Sequence, residues 1–534
     1  MIGRTTRVRA IGVLLWIAAC WLSLATLVLS NDHFGRISPA RQIAIYGDLP
    51  FRDYFDPGYF LTELSSAGLM YLLGDNLLGE GLLTSVFIAS GTVVVFLLAL
   101  RLTGSIAISL TASILSLLMF PRAYDYDKVL FYPLGLLLCW RYVESPRLPR
   151  LWAFASGMVA AALFRYDNGV YLTAGMVVAL AVVHAGEWRL LRDRLLHLVL
   201  AAGCLALPFL LFIQYQGGLV DAIDQIVTYA RREAARTQVP TQLFVFDVPW
   251  NRAIAANADS LLSYLVRLLP LAAVAWLVLD VRAGRTSRER AAWLASLITV
   301  CVCLNVFILR DPVGARFGGM AGPAAVMAAW IAHRTWREGH RPFRLPQAIV
   351  VLVTIVATLS VSASAGWSDR LRADILEPGH VVRTLRELST PPSRPGGMSN
   401  GAISGLVRYL RECTAPTDRV LATWFVPDLY YFAQRGFAAR TVALFGGHWS
   451  EPRFERRMVE TLSTQSVPVV ITLTGDELFE KSYPNIAAHL REHFELAGTS
   501  SLGDSDIGRD GYSIWVQRDR RPLRTYTDTS LPCF

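Results

Sequence analysis

Long apolar runs separated by short arginine-bearing stretches fill the first two-thirds of the chain, and shorter alternating elements follow. The runs fall at about 11–30, 82–100, 104–120, 129–143, 151–164, 170–186, 196–214, 261–279, 291–309, 319–333 and 347–365. A hydrocarbon layer about 30 Å thick is crossed by a helix of about 20 apolar residues, because lipid cannot satisfy exposed backbone groups. The pattern therefore predicts about eleven membrane helices. Two runs, 129–143 and 151–164, are short and either extend into their flanks, tilt little or re-enter. The first run follows Arg4, Arg7 and Arg9, is too long for a signal-peptide core and lacks a small-residue cleavage site, which predicts an uncleaved anchor.

Polar positions between the runs give the orientation. With a cytoplasmic N-terminus, alternate loops collect 18 cations on that side, among them Arg4, Arg101, Arg141, Arg189, Arg285 and Arg341, as the positive-inside rule requires. An odd number of spans places the C-terminus outside. After the last run, Pro378, Pro391, Pro392, Pro395, Gly396 and Gly397 mark 366–415 as a linker. From 416 to 534 the pattern predicts an extracytoplasmic α/β domain, with strands near 419–423, 468–472 and 511–517 and helices near 452–463 and 484–494. The fold class expected is thus an α-helical polytopic membrane module, residues 1–365, carrying a C-terminal α/β domain.

Composition supports that division. Of 534 residues, 53% are hydrophobic and 17% charged, which is too apolar for a cytosolic enzyme and excludes disorder. The net charge of +9 would suggest nucleic acid on a soluble protein, but here it reports membrane orientation. Five cysteines lie in spans and read as small apolar packers, whereas Cys413 and Cys533 bracket the outer domain and are candidates for a disulfide.

The acids concentrate in the outer loops. The first such loop, 31–81, contains Tyr46-Gly47-Asp48-Leu49-Pro50-Phe51-Arg52-Asp53-Tyr54-Phe55-Asp56-Pro57-Gly58-Tyr59-Phe60. An aromatic belt with solvated acids is one reading. The other is a carboxylate acting as general base at headgroup level, beside aromatic faces that hold a sugar ring or isoprenoid tail. Phe60 to Leu73 is apolar but short, and reads as a helix lying along the outer leaflet.

On these residues the chain resembles the GT-C superfamily of polyprenyl-phosphate-sugar-dependent glycosyltransferases, particularly bacterial relatives of the protein O-mannosyltransferase and aminoarabinose transferase group, glycosyltransferase family 39. The matching features are Gly47, Arg52, Asp53, Tyr54 and Pro57 after the first span, the step Arg165-Tyr166-Asp167-Asn168-Gly169, and the Arg-bearing loop Arg310 to Phe317 before a late span. The resemblance implies an inverting transfer in which Asp53 deprotonates the acceptor hydroxyl, with Asp56 and Asp48 as alternatives. A leaving polyprenyl phosphate needs cations, for which Arg316 is the first candidate and Arg165 and Lys128 the next. Arg52, Tyr54, Asp125, Asp127 and Asp167 are candidates for the acceptor side, although Arg165 and Asp167 also read as a structural ion pair. The resemblance leaves open a divalent cation, Mg or Mn, because some relatives are metal-dependent and others are not.

Other chemistries fit less well. His489-Leu490-Arg491-Glu492-His493 matches a zinc-peptidase spacing, but few residues follow to supply a third ligand and the stretch reads as a surface helix. No phosphate-binding loop or dinucleotide fingerprint is present, which argues against nucleotide chemistry. The expected activity is sugar transfer from a polyprenyl-phosphate donor to a lipid, polysaccharide or protein of the envelope, on the outer face of a bacterial inner membrane. The alternatives are an O-antigen polymerase or ligase, and a transporter or flippase of lipid-linked sugars.

Overall fold

The computed structural model describes residues 2–119, 123–235, 244–306, 316–338, 341–364, 377–393, 403–475, 477–504, 511–527 and 529–534. Each apolar run is helical over most of its length. The helices are Ile2–Ala25, Leu78–Thr103, Ile106–Leu118, Tyr126–Glu144, Leu148–Phe164, Tyr166–Val183, Trp188–Gln216, Ala258–Arg282, Arg288–Asn305, Phe317–Glu338 and Arg341–Ser364. Thr6–Ala25, Leu78–Thr103, Tyr166–Val183, Trp188–Gln216 and Ala258–Arg282 are long and apolar enough to cross a membrane, so the chain is a multi-pass membrane protein. Two compact units form: Met1–Val28 with Leu82–Pro208 and Thr237–Val382, and Leu29–Gly81 with Phe209–Arg236 and Arg383–Phe534.

In the first unit, close helix crossings replace the hydrophobic driving force that lipid removes. A Cβ at Gly91 would run into the carbonyl of Val129, and one at Gly169 into Ala162, so glycine is what lets these backbones meet. The indole rings of Trp140 and Trp293 pack at 4.2 Å, and Arg334 grips the buried Asp280 with two nitrogens.

The second unit is built on a mixed sheet. Its strands are β1 (Arg419–Ala422), β2 (Gly436–Phe437), β3 (Val469–Leu473), β4 (Phe494–Ser500) and β5 (Tyr512–Gln517), ordered β2-β1-β3-β5-β4. β1 runs parallel to β2 and β3, with Val420 opposite Val469 and Ala422 opposite Ile471, and β5 is antiparallel to β3 and β4. Period-two alternation sends Val420, Ala422, Val469 and Ile471 to one core and Leu421 and Val470 to the other. Both faces are therefore covered, so the strands expected near 419–423 and 468–472 bury side chains on both sides rather than on one.

The stretch expected as linker contains two helices, Pro378–Ser389 and Ser404–Cys413. Leu406, Tyr409, Leu410 and Cys413 are fully buried on the second, which makes it part of the α/β core. Pro395, Gly396 and Gly397 lie outside the described residues. Two short strands, β6 (Arg524–Thr525) and β7 (Pro532–Cys533), end the chain, and Cys533 is disulfide-bonded to Cys413. The same unit holds the first loop, in which Asn31–Arg41 and Phe60–Leu73 are helical.

Candidate functional site

Between those two helices the chain makes a tight closed turn around Asp53. The Asp53 amide donates to the carbonyl of Leu49 at 2.9 Å, the Leu49 amide donates back to Asp53 Oδ2 at 2.8 Å, and the Phe51 amide reaches the Tyr54 carbonyl at 2.9 Å. Closing so short a loop puts Phe51 at φ 67°, a conformation that L-residues adopt only under constraint. Arg52 donates Nε to the same Asp53 Oδ2 at 2.8 Å and Nη1 to Gln216 at 3.1 Å. Among the described residues nothing donates to Asp53 Oδ1, and 30% of the side chain is exposed.

The other acids of the loop are differently placed. Asp48 is gripped by both terminal nitrogens of Arg419, at 2.7 and 3.1 Å, and also accepts from Gln42. Asp56 is completely buried, and its Oδ1 accepts from the amides of Gly58 and Tyr59 at 2.7 and 2.8 Å, which fixes the entry to helix Phe60–Leu73. Tyr54 is buried as well: its ring meets Phe437 edge-on and its hydroxyl donates to Glu63 at 2.6 Å, so it supports the loop from within and offers no surface to an acceptor. Burial, reinforced by Asp56, pushes the Glu63 carboxyl well above its usual range.

Burial also lifts the Asp56 carboxyl from 3.8 to about 6, against the lowering effect of the Tyr59 and Gly58 amides. Between those values the folded chain holds a proton that the unfolded chain has lost, so this group's contribution to stability falls as pH rises and the loss is complete above about 6. The difference is of order 3 kcal/mol. An Asp56→Asn variant keeps the Oδ1 acceptor and removes the titration. Its thermal unfolding midpoint should gain on wild type between pH 4.5 and 7.5, read by unfolding in detergent at both values; a constant difference between the two proteins would refute the assignment.

The first unit carries a second cluster. Asp125 closes a short 3-10 turn, Ala123–Asp125, and Asp127 and Lys128 follow in the first turn of Tyr126–Glu144. Arg165 takes an extended conformation between helices Leu148–Phe164 and Tyr166–Val183, and that break brings Arg165, Asp167 and Asn168 to the second loop. Lys128 Nζ lies 2.6 Å from Asp125, with Arg165 3.7 Å from the same oxygen. Arg165 Nε donates to Asp167 at 2.8 Å and Asn168 to Asp127 at 2.8 Å. A Cβ at Gly319 would press on the Lys128 side chain and touch Asp125, so helix Phe317–Glu338 closes over this pair. All these charges are buried, and the two cations are already paired with carboxylates. Arg316, one residue before that helix, is half-buried, and its Nε has no hydrogen-bond partner among the described residues. Phe317 and Met320 then enter the wall of an apolar cavity of about 520 Å³, completed by Ile108, Leu262, Val266 and Val351. Arg310 and Arg122 lie outside the described residues.

No family model matches the chain. No curated protein matches it in sequence either. Among solved structures the chain is similar to the crystal structure of ArnT from Cupriavidus metallidurans bound to undecaprenyl phosphate, with 14% identity, a TM-score of 0.48, and coverage of 96% of this chain and 98% of that one.

Among the described residues no group of three or more His, Cys, Asp or Glu side chains is arranged to hold a metal ion. His489 and His493 face each other with ring centres 4.4 Å apart on helix Pro484–His493. Several residues that shape the Asp53 turn escaped the reading of the sequence: Gln42, whose amide pairs with Phe437 as a strand would, Glu63, Gln225, Arg419 and Arg440. Only Glu63 left a signal, as a lone acid in an apolar stretch.

Proposed function

We propose that the protein is an inverting GT-C-type glycosyltransferase of the bacterial inner membrane, with a cytoplasmic N-terminus and an outer C-terminal domain. It takes a sugar from a polyprenyl-phosphate donor and places it on an envelope lipid, glycan or protein. The observation that carries the reading is the contrast among the three acids of the first loop: Asp56 is sealed and Asp48 is clamped by Arg419, while Asp53 keeps one oxygen open at the apex of a strained turn. A carboxylate with an open oxygen within reach of solvent is what a base for a hydroxyl nucleophile requires. The sequence resemblance, which falls on the same residue, supports it.

On the donor side we assign the phosphate to Arg316, because Lys128 and Arg165 are already paired with acids and set the surrounding potential. The cavity that begins at Phe317 would seat the isoprenoid tail. Filling it with Ala328→Trp should raise KM about tenfold for a long-chain donor, the worth of roughly two buried methylenes, and leave a short-chain analogue unaffected. Equal effects on both donors would remove the tail from this cavity.

The test of the function uses purified protein in liposomes with radiolabelled polyprenyl-phosphate pentoses and hexoses and an envelope extract as acceptor. Sugar transferred with loss of the lipid phosphate supports the proposal. Movement of the lipid across the bilayer without transfer would make the protein a flippase and overturn it.

A further inference from the structure

The turn that presents Asp53 is held from the far end of the chain. Arg440 lies in the C-terminal domain, 388 positions from Arg52, and its Nη2 donates to the carbonyls of Phe51, at 3.3 Å, and of Arg52. Its own carbonyl accepts from the Phe55 amide at 2.8 Å, and its guanidinium lies over the Phe55 ring. One residue thus grips the backbone on both sides of Asp53. The Phe55 ring is in turn packed between Trp449 and Phe454, so it cannot follow the turn outward. Behind the turn, Gln225 donates to the same Phe51 carbonyl, and a Cβ at Gly217 would press on that carbonyl at 3.1 Å.

Both partners are constrained. Ala439 and Arg440 have φ of 55° and 57°, opposite Phe51 at 67°. Three non-glycine residues in the left-handed region at one contact are not favoured locally, and persist only where the surroundings over-determine them. The domain's packing supplies that: the Ala438 amide donates to the Val420 carbonyl of β1, and the Ala439 amide donates to Gln465. Burial, with Arg457 nearby, lowers the Arg440 guanidinium to about 10, so it stays a cation at neutral pH.

We infer that Arg440 is a positioning residue for the base, through which the C-terminal domain fixes the turn that carries Asp53. The inference rests on the reading of Asp53 given above. Arg440 touches no reacting atom; it sets where the carboxylate points.

The test compares full-length wild type, Arg440→Ala, Arg440→Lys, Asp53→Asn and the Asp53→Asn/Arg440→Ala double variant, by the liposome assay and by amide hydrogen exchange. Arg440→Ala should lower kcat on the order of 10- to 100-fold, as a small misplacement of a catalytic group does. KM for the donor should stay within about twofold, because no binding contact is removed. Exchange should quicken at the amides of Leu49 and of residues 51–55 and stay unchanged in β1 and β3. Arg440→Lys, which keeps a charged donor able to reach both carbonyls, should recover most of the rate. Added to Asp53→Asn, Arg440→Ala should cost nothing further, since the two act as one unit. The inference is overturned by a wild-type kcat in Arg440→Ala, by faster exchange that spreads through β1 and β3, or by full additivity in the double variant. If Asp53→Asn itself transfers normally, the base is misassigned; if it is dead while Arg440→Ala is fully active, only the role of Arg440 falls.

Discussion

Asp53→Asn should slow transfer by about two to four orders of magnitude while leaving the protein folded. Asparagine retains an oxygen for the Leu49 amide and so keeps the turn closed. What it loses is the charge and the ion pair with Arg52, an exposed pair worth roughly 0 to 1 kcal/mol. Removing a general base instead costs about 10²- to 10⁴-fold in rate. The two effects are separable by measuring kcat in liposomes beside the thermal unfolding midpoint in detergent. Asp48→Asn is the control: it weakens the contact with Arg419 and should lower stability more than Asp53→Asn does. Full transfer by Asp53→Asn would end the assignment.

The largest loss of stability should follow Lys128→Met. Methionine keeps most of the volume, but buried Asp125 then loses the cation 2.6 Å from its carboxylate, while Arg165 stands farther off at 3.7 Å. Breaking a buried pair from one side costs about 3 to 5 kcal/mol, because the remaining ion can neither be solvated nor neutralised cheaply. Removing both charges, Lys128→Met with Asp125→Leu, should restore most of that, since replacing a buried pair by apolar residues is often neutral. Unfolding midpoints of the single and double variants check this. A single variant as stable as wild type would mean that Lys128 is not held by Asp125, and would return it to the donor phosphate.

The membrane helices were legible because lipid permits little else: a backbone with no water around it must be helical, and its side chains must be apolar over a fixed length. The sheet was legible in part. The strands expected near 419–423 and 468–472 are Arg419–Ala422 and Val469–Leu473, but Phe494–Ser500 was missed, since its alternation is broken by the irregularity between Leu496 and Gly498. Helix Asn31–Arg41 was missed for another reason: it contains Pro39 and is polar in sequence, yet His33, Arg36 and Arg41 are all buried in a network of their own. His33 meets Glu80 at 2.6 Å, Arg36 lies over the Tyr59 ring and Arg41 holds Asp75. Nothing linear distinguishes a buried charge with a partner from a solvated one.

The candidate base shows the same limit. Asp48, Asp53 and Asp56 are close neighbours of the same type, and what separates them is a partner from Arg419, an open oxygen and a pair of backbone amides. The first of those partners lies some 370 positions downstream. Arg440 is more remote still, and an arginine in a chain with so many is not a signal.

That remoteness also orders events at the ribosome. Asp53 is translated near the start, whereas Arg419 and Arg440 leave the exit tunnel only after the membrane helices have been made. At about 5 to 20 residues per second, the turn waits roughly 20 to 80 seconds for the residues that close it. During that interval Phe51, Tyr54 and Phe55, all buried in the finished protein, have no partner from the C-terminal domain. The nascent chain therefore carries Asp53 well before the residues that close its turn exist, and translation of the last quarter of the chain is what completes that turn.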